Sequence, residues 1–148
     1  MRIPLALALV FGALAFAATG CGGSDGGSTI TVIEHATTDA TTDTGAKDDS
    51  AGDVLTFANE VYNEDNTEKV GTDQGYCIRT EAGKSYECNW TTFLADGQIT
   101  VEGPFLDAGS STLAITGGTG AYDDAQGSMD LSAANADATE FKFVFNLK

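Results

Sequence analysis

Residues 139–148 read TEFKFVFNLK. Phe141, Phe143, Phe145 and Leu147 fall on one side of an extended chain, with Lys142, Val144 and Asn146 on the other. A period of two puts alternate side chains on opposite faces of a strand, whereas a helix would scatter these four large apolar residues around its axis. The segment predicts a strand with one face in a core.

Working back from this stretch, the same alternation recurs between turn residues, an all-β signal. Segment 127–133 is the preceding strand, and 117–126 is a Gly-rich corner. Before it come 110–116 and 98–105, the latter with Ile99, Val101 and Phe105 against Gln98, Thr100 and Glu102. Ala95-Asp96-Gly97 marks a tight hairpin. Segment 85–94 places Tyr86, Cys88, Trp90, Thr92 and Leu94 on one face. Segment 68–80 is read as one long strand, with Gly71 and Gly75 as candidate bulges. Segment 53–63 alternates with Leu55, Phe57, Asn59 and Val61 together. Residues 38–52, rich in Thr, Asp and Gly, read as a long loop. In segment 29–37, Ile30, Val32 and Glu34 share a face and His35 points the other way. Eight such strands with mainly short connections predict an antiparallel β-barrel, either filled by side chains or holding one small ligand.

The first 21 residues read as a leader. Arg2 precedes an apolar run, 3–18, that is short for a membrane span and ends in small residues. Ala18-Thr19-Gly20-Cys21, followed by Gly and Ser, resembles the bacterial lipobox, in which the cysteine is acylated and becomes the mature N-terminus. Residues 22–28 would be a flexible tether of roughly 15 Å, and 29–148 the barrel domain. An extracytoplasmic protein anchored to the bacterial membrane through Cys21 is the expectation. The 22 acids against 7 bases, a net charge of −15, suit solubility outside a cell and disfavour nucleic acid as a partner.

With Cys21 assigned to lipid, Cys77 and Cys88 remain, an even pair that in an oxidising compartment suggests one disulfide. They lie symmetrically about Ala82-Gly83, so a simple hairpin sets them opposite each other. Two buried thiols are the alternative.

Residues 52–77, GDVLTFANEVYNEDNTEKVGTDQGYC, together with QITVEGPF, LAITGGTGAYDDAQG and TEFKFVFNLK, resemble the allene oxide cyclase family, whose neighbours are the dirigent proteins. The resemblance covers nearly all of 29–148. It implies an eight-stranded, calycin-like barrel with a mainly apolar lumen, in which a reactive unsaturated substrate is folded so that cyclisation gives one stereoisomer. Carried over residue by residue, Glu34 in VIEHA takes the place of the functional first-strand Glu. Asn59 matches a lumen Asn, and Leu55 and Phe57 match apolar wall positions. Cys77 matches a lumen Cys, Tyr86 an aromatic wall residue, and Phe105 replaces a Tyr. Ala36 stands where the family has Asn, and the Ser-Pro that helps hold the family's water is absent, so the catalytic apparatus is incomplete.

Weighed as chemistry, an inward Glu34 would have its pKa raised by desolvation and could move a proton near neutral pH; an outward Glu34 would be an ordinary solvated acid. Asn59 could orient a ligand oxygen or satisfy backbone. Arg79 shares the face of Cys77 and could meet a ligand carboxylate or Glu34, or be a surface charge. Phe57, Tyr86, Trp90 and Phe105 could line a cavity or pack a solid core. A single histidine excludes a multi-His metal site and any triad lacking His35. Gly117-Gly118-Thr119-Gly120 lacks the Lys-Ser/Thr of a phosphate loop, and Asp123-Asp124 lacks calcium-loop spacing. No cofactor is implied. Three functions follow: a tethered module binding a small apolar or amphipathic molecule, ranked first; a cyclase- or isomerase-type enzyme steering cyclisation or coupling; and a surface platform with a packed barrel. Members of the family are often oligomers, which leaves a homo-oligomer open.

Overall fold

The computed structural model describes residues 27–148. The leader, Cys21 and most of the tether therefore lie outside the described residues, as does the acylation proposed for Cys21. Ten strands follow in order: β1 Ser28–His35, β2 Ala40–Thr42, β3 Val54–Phe57, β4 Glu60–Asn63, β5 Lys69–Glu81, β6 Ser85–Leu94, β7 Gly97–Leu106, β8 Ser111–Gly120, β9 Gly127–Ala133 and β10 Glu140–Leu147. All pairings are antiparallel.

β3 and β4 both pair with β5 and act as one stave broken at Ala58 and Asn59. β1 pairs with β4 on one side and β10 on the other, which closes the ring. With β2 a three-residue strip on β3, the barrel is the eight-stranded antiparallel one expected. Closure leaves the staves no open edge. The loop expected at 38–52 thus contains a short strand. Asp53 organises the rest of it: its carboxylate accepts from the amides of Thr44 at 3.0 Å and Ser50 at 2.8 Å.

The alternation of β10 is realised as read. Phe143 and Phe145 are buried, and Val144 and Asn146 are half-buried. Burying each such ring is worth about 2–3 kcal/mol. Phe145, Val61, Ile99, Val101 and Met129 fill one half of the barrel solidly, each with no exposed surface.

Of the two glycines read as bulges, Gly71 borders one and Gly75 does not. A bulge does occur between β4 and β5, at Val61/Tyr62 opposite Gly71, but Gly75 sits in unbroken register opposite Trp90. A Cβ at Gly75 would lie 2.3 Å from the Trp90 Cβ and 2.5 Å from the Asn89 carbonyl oxygen. Its absence lets Trp90 lie across β5. The Gly-rich segment opens as strand and turns after it: β8 runs through Gly120, whose φ of 65° and a would-be Cβ 2.4 Å from the Asp96 carbonyl oxygen admit glycine alone. Cys77 and Cys88 face each other in the β5–β6 register and form a disulfide.

Candidate functional site

The other half of the barrel is not filled. A cavity of about 70 Å³ lies there, lined by Glu34, Asp39, Leu55, Phe57, Cys77, Trp90, Phe105, Leu131, Phe141 and Phe143. Its floor is buried: Trp90, Phe143, Leu131 and Cys77 are each under 5% exposed. Its rim, Leu55, Phe57, Phe105 and Phe141, is half-buried, and Asp39 is exposed, so the mouth opens to solvent. Phe57 meets Trp90 edge to face at 5.9 Å, as Phe105 meets Phe141 at 5.7 Å, and Trp90 is tilted against Phe143 at 5.6 Å.

Strand alternation aims each of these side chains. On β1, Val32 and Glu34 point inward, and His35 points outward to stack on Tyr62 at 4.1 Å. Glu34 thus carries a carboxyl into an apolar wall, and it is only 6% exposed.

Asn59 sits at the break between β3 and β4, where the chain has left one ladder and not joined the next. Its amide is fully used. Nδ2 donates to Glu34 Oε1 and Asp39 Oδ1, both at 2.8 Å. Oδ1 accepts from the amides of Thr37 and Thr38 and from the Thr38 hydroxyl. With both amide hydrogens taken, Asn59 holds Glu34 and the 37–39 turn in place and does not line the cavity.

Asp73 on β5, which the sequence reading passed over, completes the cluster. It is 1% exposed, and its Oδ1 accepts from the Asn59 backbone N–H at 3.3 Å. Its carboxyl and that of Glu34 share this buried pocket and act strongly on each other's charge. Burial pushes Glu34 up to about 7, opposed by the Asn59 amide and reinforced by the charge of Asp39. Burial, then the charge of Glu34, pushes Asp73 up to about 9. The pair therefore retains a proton at neutral pH. Asp73 Oδ2 is buried with no hydrogen-bond partner among the described residues. Thr92 Oγ1 and Trp90 Nε1 are likewise buried without partners. The register sets Thr92 opposite Asp73 and Trp90 opposite Gly75, so these polar atoms occupy two neighbouring inward rungs. The β5 alternation Asp73, Gly75, Cys77, Arg79 carried the signal that could have found Asp73.

Arg79 and Tyr86 lie elsewhere. The guanidinium rests 3.7 Å from the Tyr86 ring centroid and donates to Asp49 at 2.7 Å and Asp107 at 2.6 Å. Both residues line a separate polar depression with Thr41, Asp43, Asp48, Asp49 and Asp53. Arg79 is 8% exposed and saturated by acids, so it does not meet Glu34. Of the residues singled out from sequence, the cavity brings together Glu34, Leu55, Phe57, Cys77, Trp90 and Phe105, with Asn59 behind Glu34. Among the described residues no group of His, Cys, Asp and Glu could hold a metal ion.

The fold has relatives among solved structures. A pyocyanin demethylase is 26% identical, with a TM-score of 0.72 over 82% of this chain and 100% of that one. The pterocarpan synthase dirigent protein PsPTS1 is 18% identical, TM-score 0.64, over 84% of this chain and 97% of that one. AbnU, an exo-specific intermolecular Diels-Alderase, is 17% identical, TM-score 0.61, over 82% and 98%. The family model described as allene oxide cyclase matches residues 32–147, nearly the whole barrel. The sequence segments, the closed ring of staves and this match lead to one conclusion: the chain belongs to the allene oxide cyclase family.

Proposed function

We propose that this chain is an exported barrel, tethered to the bacterial membrane through acylated Cys21, that binds a small apolar or amphipathic molecule in its cavity. The observation that carries the binding reading is the half-open aromatic cavity with one buried carboxyl, Glu34, in its wall. A fully packed platform would have no such space. The volume, about 70 Å³, is roughly half that of a void known to admit benzene. The bound molecule therefore inserts one end and lies across the mouth between Phe57, Phe105 and Phe141, or displaces a rim ring. The lipobox-like Ala18-Thr19-Gly20-Cys21 and the Cys77–Cys88 bond support export to an oxidising compartment.

A second reading is favoured by the Glu34–Asp73 pair: the bound molecule reacts there. Aromatic walls would hold a reactive polyene, epoxide or radical in one folded shape, which lowers the entropic part of the barrier. Glu34 would give or take a proton at the one polar wall, with Asp73 resupplying it. The named activities of the pyocyanin demethylase, the pterocarpan synthase dirigent protein and the Diels-Alderase, all on this barrel, support that reading.

Native purification from the membrane fraction, followed by extraction and mass spectrometry, tests the binding reading. A small apolar compound at near-stoichiometric amount, lost when Leu131→Phe fills the cavity, is the expected result. An empty barrel that also binds no apolar probe would end it. Glu34→Gln that keeps the ligand but abolishes its conversion would select the catalytic reading over binding alone.

A further inference from the structure

The ionisable groups facing the cavity are acids. Glu34 and Asp39 line it, and Asp73 stands behind Glu34. No lysine or arginine is placed to offset them among the described residues. Arg79 is committed to Asp49 and Asp107 at the other depression. His35 lies outside on Tyr62, and Lys69, Lys84 and Lys142 pair with exposed acids on the outer surface. Both Asn59 amide hydrogens already go to carboxylates. The unpaired Trp90 indole N–H is neutral and suits a carbonyl, ether or ring-nitrogen acceptor rather than a desolvated anion.

We propose that this cavity takes a neutral or cationic aromatic molecule that presents a hydroxyl, amine or ring N–H to Glu34, and that it rejects molecules whose inserted polar end is a carboxylate. The proposal rests on the ligand-binding reading and deepens it by naming the ligand class. A carboxylate inserted beside Glu34 and Asp39 would meet like charge where water is scarce, and such juxtapositions are strongly disfavoured. A donor would instead meet the Glu34 oxygen that the Asn59 amide does not hold. The aromatic series Phe57, Trp90, Phe143 and the edge-to-face pair Phe105, Phe141 favour a further ring over a flexible chain. The net charge of −15 repels anions before they reach the mouth.

Trp90 is the chain's only tryptophan and lies in the cavity floor, so its fluorescence reports occupancy. The test titrates the full chain at neutral pH with three molecules sharing one ring: benzyl alcohol, benzylamine and benzoate. The expected result is saturable quenching by the alcohol and the amine, with benzoate at least about tenfold weaker. Asp39→Asn, which removes the rim charge and keeps an oxygen for the Asn59 amide, should narrow that gap, and Glu34→Gln should narrow it further. Benzoate binding as tightly as benzyl alcohol would overturn the charge selection while leaving a ligand cavity. A gap unchanged in both variants would also overturn it, because the acids would not be its source. No response to any of the three would overturn this proposal and the binding reading together.

Discussion

Asn59 Nδ2 donates to Glu34 Oε1 at 2.8 Å across the break in the β3–β4 stave. One oxygen of the buried carboxyl is thereby committed to the scaffold, and the other is left to the cavity and to Asp73. The same amide group holds Asp39 at the rim. A single side chain thus couples the interruption of a strand to the polar wall of the site.

Removing that amide should be costly. Asn59→Ala strips a donor from Glu34 and Asp39 and an acceptor from the amides of Thr37 and Thr38. A loss of about 2–4 kcal/mol in urea unfolding is expected. Asn59→Asp should lose more at alkaline than at acidic pH, since it adds a third carboxylate beside two others.

Stability should fall as pH rises. Glu34 and Asp73 have native pKa values raised, to about 7 and about 9, from their ordinary 4.5 and 3.8. The native state therefore holds more protons than the unfolded chain between those limits, and unfolding free energy decreases with pH there. The stabilising share is complete below about pH 4 and is lost as pH passes about 7 and then 9. Urea midpoints across this range should decline in the wild type, and Asp73→Asn should flatten most of the decline. A wild-type midpoint that does not change with pH would remove the case for a shared proton.

The disulfide should matter thermodynamically. Cys77 and Cys88 are 11 residues apart in sequence, and closing a loop of this size is worth about 2–3 kcal/mol on the chain-entropy account. Replacing both by Ser should lower the unfolding midpoint accordingly and leave the barrel folded, as judged by far-ultraviolet circular dichroism.

Gly75→Ala should be far more harmful than an ordinary strand substitution. Its Cβ would press on the Trp90 Cβ and the Asn89 carbonyl from within 2.5 Å. Trp90 must move, so a destabilisation of about 2 kcal/mol or more should come with a shifted Trp90 emission.

Export makes its own prediction. Cys21→Ala should move the protein from the membrane fraction to the soluble exported fraction and abolish incorporation of labelled fatty acid. Retention in the membrane fraction with no label in either form would refute the tether.

The barrel was legible because its staves obey a strict period of two, from Phe141–Leu147 back to Ile30–Glu34, and because Cys77 and Cys88 pin one hairpin register. What was not legible depends on pairing across the ring. Nothing local in 53–63 marks the stave's break at Ala58 and Asn59, since the alternation runs straight through it. Gly75 reads like a bulge until Trp90 is seen crossing it. The aromatic walls and Glu34 were found by facing and resemblance. Asp73 was missed because a charged residue in a long, Gly-interrupted strand looks solvated unless its partners from β1 and the β3–β4 break are known. Arg79 faces inward as its register implies, but loop acids from 49 and 107 claim it, and loop positions cannot be read from strand periodicity.

The proposed function stands on a ligand-accepting cavity at one end of the barrel. It is tested most directly by titrating benzyl alcohol while following the Trp90 indole N–H in nitrogen–proton correlation spectra. A saturable shift at Trp90 that weakens by about tenfold in Leu131→Phe is the predicted result. A Trp90 signal that stays put, or drifts linearly and identically in both proteins, would contradict it.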